Sequence, residues 1–100
     1  LRRQRQMCIR DSYCMAGLRT QTVGIYEKDT GRSIVCNVAG YPYTLLWSAS
    51  ASPVRFVCIE PWYGRCDRAH YTGEYKDKDW MQHLQPSEIF QGGYTIEINE

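Results

Sequence analysis

The chain has 100 residues, room for one small domain, and its 12 Lys+Arg against 11 Asp+Glu give a formal net charge of +1. That near-balance argues against a dedicated nucleic-acid binder, whose footprint is a strongly basic face. Eight Tyr and three Trp argue against a disordered composition, and no apolar run approaches the roughly 18 residues of a membrane-spanning helix.

The charge is unevenly spread. Residues 1–12, LRRQRQMCIRDS, hold Arg2, Arg3, Arg5 and Arg10 against Asp11, a net of +3, and residues 13–100 carry a net of −2. A basic tail for anionic partners or a helical surface segment are two readings of this head. The third is that it is not native, because RRQRQMCIRDS resembles translated sequencing adapter. The third reading is preferred, so residues 1–12 are set apart as a non-native head and the fold is sought in residues 13–100. The head has no apolar stretch of the secretory kind, and a chain that opens on Leu1 is expected to be a piece of something longer.

From residue 17 onward the pattern is strands punctuated by turns. Thr22–Tyr26 is β-rich and ends at Lys28-Asp29-Thr30-Gly31-Arg32, a polar stretch whose glycine suits a hairpin turn. Residues 33–38 return as a strand with Ile34, Cys36 and Val38 on one face. Gly40 and Pro42 break the chain, Tyr43–Trp47 reads as a third strand, and residues 49–53 as a small-residue loop. Arg55–Ile59 is a short apolar run, as expected of a strand buried on both faces. Some fifteen polar residues without periodicity follow Gly64, a long loop of the kind that often carries function. Trp80–Leu84 reads as a further strand. The last strand is the clearest, with Phe90, Gly92, Tyr94, Ile96 and Ile98 alternating with Gln91, Gly93, Thr95 and Glu97. No stripe of helical period appears, so the expected class is all-β.

Cys8, Cys14, Cys36, Cys58 and Cys66 form no CxxC pair, and His70 and His83 supply no closely spaced metal-ligand pair. The thiols read as reduced structural cysteines of a cytoplasmic protein; a disulfide framework has no secretory context to support it.

The informative segment is Phe56-Val57-Cys58-Ile59-Glu60-Pro61-Trp62-Tyr63-Gly64. A carboxylate straight after four apolar strand residues is expected at the end of a buried strand, with Pro61 stopping the ladder. Trp62 and Tyr63 are flat side chains suited to stacking on a ligand. In that setting Glu60 is a general-base candidate. The competing reading makes it a structural acceptor for a neighbouring Arg or backbone amide.

VCIEPWYG, with Asp67, His70, Gly73 and the run Lys76-Asp77-Lys78-Asp79-Trp80, closely resembles the C-terminal part of the aldose 1-epimerase (galactose mutarotase) family, most of all its LacX-like bacterial branch. LQPSEIFQGGYTIEI is similar to that branch's closing turn and last strand, with Ser87 where glycine is usual. Gly17-Leu18-Arg19-Thr20, the hairpin around Thr30-Gly31-Arg32 and residues 43–48 resemble its preceding strands. The likeness spans roughly residues 15–100.

The resemblance implies the C-terminal portion of a galactose-mutarotase-like antiparallel β-sandwich, incomplete as a domain. It implies interconversion of the α- and β-anomers of an aldose or aldose phosphate by general acid/base ring opening, without metal or other cofactor, and without nucleic acid or membrane as partner. The family's base, a Glu in the same C-[IL]-E setting, maps onto Glu60. Its acid is a His, assisted by a second His and an Asp, upstream of the matched stretch, so the chain alone is expected to be inactive. His70 is placed to approach a bound sugar and His83 reads as structural or solvent-facing; neither inherits the acid's role. Trp62 and Tyr63 either line the sugar site or pack beneath it. Arg65 and Asp67 read as loop-holding and Trp47 as core. The alternative function is a non-catalytic carbohydrate-binding β-sandwich relative.

Overall fold

The computed structural model describes residues 12–49 and 55–100, so most of the head and part of the 49–53 loop lie outside the described residues. Six strands run in chain order: β1 Ser12–Ala16, β2 Thr22–Tyr26, β3 Ser33–Asn37, β4 Tyr43–Trp47, β5 Cys58–Trp62 and β6 Thr95–Asn99. They form two antiparallel three-stranded sheets, ordered β1-β4-β5 and β2-β3-β6, and no α-helix occurs among the described residues. The all-β expectation holds, in a sandwich-like arrangement.

The β2–β3 hairpin forms where its turn residues place it. Glu27 N–H donates to the Arg32 carbonyl at 2.8 Å and Gly31 N–H to the Glu27 carbonyl at 2.9 Å. Gly31 sits at φ 77°, a conformation glycine adopts without steric cost. The Thr30 hydroxyl closes the loop by donating to the Glu27 carboxylate. β6 then pairs with the far side of β3, Ile98 opposite Ile34 and Ile96 opposite Cys36.

Directly opposed residues of an antiparallel pair share a face. In the first sheet Tyr43, Leu45 and Trp47 therefore lie with Trp62, Glu60 and Cys58, while Leu46 and Ile59 lie on the reverse with Met15. That reverse face meets the second sheet: Met15, Leu46, Ile59 and Tyr63 pack against buried Val23, Cys36, Val38 and Tyr41. Rings of Tyr41 and Tyr63 meet at 4.4 Å, tilted by 37°, and Phe90 meets Tyr63 edge-on at 4.9 Å, which ties the segment before β6 into the same core.

Several expectations are corrected. Ser12–Ala16, left out of the strand pattern and partly assigned to the head, is β1, completed by long-range pairing with β4. Residues 17–20 form a bend and turn rather than a strand. The fifth strand begins at Cys58, not Arg55, and is half-buried, with Phe56 and Val57 exposed outside it. Pro61 does not stop the ladder; it faces Thr44 within β5. The cause is position, because β5 is an edge strand, and a proline is tolerated where its nitrogen faces the open side. Residues 80–84 form no strand, and the last strand is confined to Thr95–Asn99, with each of its residues exposed. Alternation marks which residues can share a face, but only a neighbouring backbone makes a strand.

Candidate functional site

Glu60 is half-buried in the middle of β5, directly across from Leu45. Its Oε1 accepts the indole N–H of Trp47 and its Oε2 that of Trp62, the latter at 3.1 Å. One donor comes from β4 and the other from β5, and both lie on the face that the register assigns to Glu60. Trp47 is braced edge-on by Phe56 at 5.3 Å, and Trp62 leans on Tyr43 at 5.8 Å.

The chain leaves β5 through Gly64, which is buried at φ 99°, a conformation that side chains rarely adopt; a Cβ there would only touch the Met81 sulfur, at 3.4 Å. This reversal folds the long polar loop back over the Tyr43 end of the same face. Trp80 approaches Tyr43 at 5.6 Å, and the Arg65 guanidinium lies over both rings, 5.6 Å from Tyr43 and 5.9 Å from Trp80. Arg65 and Arg68 share Asp79, at 3.7 and 2.5 Å, and Lys78 pairs with Asp67 at 2.6 Å. The Asp67 hydrogen bond holds the Lys78 ammonium above its usual range, outweighing desolvation. Arg65 and Asp67 thus hold the loop, as expected of them. The loop also contains a 3₁₀ turn, Tyr75–Asp77.

Under this cover Tyr43 is 3% exposed, and burial, followed by a hydrogen bond with the Cys14 thiol, pushes its phenol well above the ordinary range. The face therefore runs from a carboxylate held by two indoles to a guanidinium resting on two rings, with Leu45 and Tyr43 as its floor.

The expected site residues are only partly brought together. Trp62 touches Glu60. Tyr63 faces the other way and packs with Tyr41 and Phe90 in the core between the sheets. His70 is exposed at the tip of a turn closed by Tyr71 N–H to the Arg68 carbonyl, at φ 63°, and no hydrogen bond joins it to Glu60. His83 is exposed in the irregular 81–85 segment rather than in a strand. Trp47 is more than core, since its N–H is spent on Glu60. That role depends on the β4–β5 register, which the ten residues joining the two strands do not reveal.

Among the described residues no group of three or more His, Cys, Asp or Glu is placed to hold a metal, and no disulfide joins Cys14, Cys36, Cys58 or Cys66. No helix among them is long and apolar enough to cross a membrane. No family model matches the chain, and neither a curated protein nor a solved structure matches it significantly.

Proposed function

We propose that the chain is the C-terminal part of an aldose 1-epimerase-type mutarotase, with Glu60 as the general base that takes the proton from the anomeric hydroxyl of a sugar. The observation that carries this reading is a carboxylate fixed by two indole N–H groups on a sheet face lined with aromatic rings. Flat apolar surface beside a fixed acceptor suits a sugar, which has apolar C–H faces and hydroxyl edges. Proton removal at the anomeric oxygen with protonation of the ring oxygen opens the ring. The carbonyl carbon then rotates and the ring closes on the other face. On this reading the acid for the second proton is the upstream His that the resemblance implies, and neither His70 nor His83 takes that role. Four isoleucines exposed on one face of the second sheet, described below, fit a sandwich that further strands cover.

The alternative is a carbohydrate-binding relative without catalysis, favoured by the same two bonds: a carboxylate already held by two donors can simply orient a ligand. Titration of the chain with D-galactose, read by tryptophan fluorescence, is expected to give a saturable change that Glu60→Gln abolishes. A linear or absent response would remove D-galactose as a ligand of the Glu60 face under either reading. With the upstream residues restored, polarimetry separates them. The enzyme loses at least ~100-fold of its mutarotation rate in Glu60→Gln, as removal of a general base requires. A binding protein has no rate to lose.

A further inference from the structure

Trp47 and Trp62 reach Glu60 from different strands. Both rings are packed independently of the carboxylate, Trp47 against Phe56 at 90° and Trp62 against Tyr43 at 44°. A side chain anchored from one strand swings with that strand; one anchored from two is fixed by the sheet itself. Bonds from N–H donors to an ionised carboxylate are among the strong ones, so this anchoring is more than packing.

A carboxylate offers about four acceptor positions, and two are occupied by the indoles. Because each indole takes a different oxygen, each oxygen keeps one position. Two hydroxyls on neighbouring atoms of one ligand match that spacing; a lone hydroxyl uses only half of it. Beside Glu60 on the same face stands its directly opposed neighbour in β4, Leu45, 5% exposed.

We propose that Trp47 is a positioning residue which, together with Trp62, fixes Glu60 so that its two oxygens present one free acceptor position each to a pair of ligand hydroxyls. The proposal rests on the reading of Glu60 as the acceptor of a sugar hydroxyl. Trp47 touches no reacting atom in this account. It acts through Glu60, by the pre-organisation that a binding or catalytic carboxylate requires.

The test uses the ¹⁵N-labelled 100-residue chain without sugar, so that a failed galactose titration and a failed positioning role are separate results. The indole N–H resonances of Trp47, Trp62 and Trp80 are assigned from single Trp→Phe variants. Glu60→Met keeps a side chain of similar length with no carboxylate. It is expected to move the Trp47 and Trp62 resonances upfield and leave Trp80 in place. In Trp47→Phe, which keeps the ring and removes the donor, the Hα–Hβ couplings of Glu60 are expected to pass from a single rotamer to an average while the Leu45 methyl resonances hold. A mere packing role would leave those couplings unchanged. A Trp47 resonance unmoved by Glu60→Met, or an unchanged Glu60 rotamer in folded Trp47→Phe, overturns the proposal. If Trp47→Phe does not fold, the Glu60→Met spectrum decides alone.

Discussion

The two sheets have the same strand number and the same antiparallel pairing, yet they are covered very differently. The β1-β4-β5 sheet has its reverse face on the core and its other face beneath the Gly64–Met81 loop, so Tyr43, Thr44 and Leu45 are consecutive buried residues. The β2-β3-β6 sheet is equally apolar on its inner face, where Val23, Cys36 and Ile96 form one cross-strand row and Ile25, Ile34 and Ile98 the next. Only Val23 and Cys36 are buried; Ile96 is 55% and Ile98 69% exposed. A strand pattern therefore declares which face wants cover, and tertiary contact decides whether it gets any. Hydrophobic stabilisation follows the area removed from water, so the two sheets contribute unequally despite similar composition.

The sharpest test of that contrast is a matched pair of truncations. Leu45→Ala empties a buried position and is expected to cost about 2–5 kcal/mol, enough to threaten a small domain outright. Ile98→Ala removes a side chain that water already reaches, so it is expected to cost at most about 1 kcal/mol, chiefly strand propensity. Urea unfolding of both variants at comparable slopes gives the two costs directly. Equal costs would mean that something covers the isoleucine row in solution, and the contrast would fail.

The same contrast explains what the sequence made legible. Thr22–Tyr26 and residues 33–37 could be read because a polar turn with Gly31 joins them, and turn chemistry is local. Tyr43–Trp47 was readable from its bounds, Gly40 and Pro42 before it and small residues after. Ser12–Ala16 was not, because Ser-Tyr-Cys-Met-Ala has no clear alternation and becomes a strand only when β4 lies beside it. Pro61 misled for a related reason: its meaning depends on whether the strand is central or edge, a property of the sheet. At the site, Glu60 stood out as a carboxylate after an apolar run, and Trp62 followed from adjacency. Trp47 could not be joined to them without the register, and Tyr63 was one residue away from Trp62 and so on the opposite face.

Alkaline titration sharpens the comparison from the covered side. The phenol of Tyr43 is held above its ordinary value of 10.0 by burial and by the Cys14 thiol, so the folded state keeps its proton where the unfolded state loses it. The stability this group contributes is complete below pH 10 and falls as the pH rises above it. Between pH 9 and pH 11 the urea midpoint is expected to drop, and Tyr43→Phe is expected to shrink the drop. Tyr41, raised by burial and then by Tyr63 and Tyr94, supplies part of the remainder. A drop of the same size in Tyr43→Phe would mean that the loop does not keep water from this face.

The smallest expected effect concerns the connection that links the two sheets. Pro86 and Ser87 occupy the centre of a turn closed by Glu88 N–H to the Gln85 carbonyl at 3.0 Å, with Ser87 at φ 71°. Proline followed by a residue with positive φ is the type II pattern, which favours glycine at the second position. Holding a side chain in that region costs about 1–2 kcal/mol. The extra backbone freedom that glycine brings to the unfolded chain returns about 0.5–1 kcal/mol of it. Ser87→Gly is therefore expected to stabilise by up to about 1 kcal/mol, the difference between those two terms. Where that gain is felt carries the information. If the β5-to-β6 connection folds with the covered sheet, through Tyr63 and Phe90, the whole unfolding midpoint rises. If β6 frays independently, hydrogen exchange slows in Thr95–Asn99 alone and the midpoint stays where it was, placing the weakly covered sheet outside the cooperative unit.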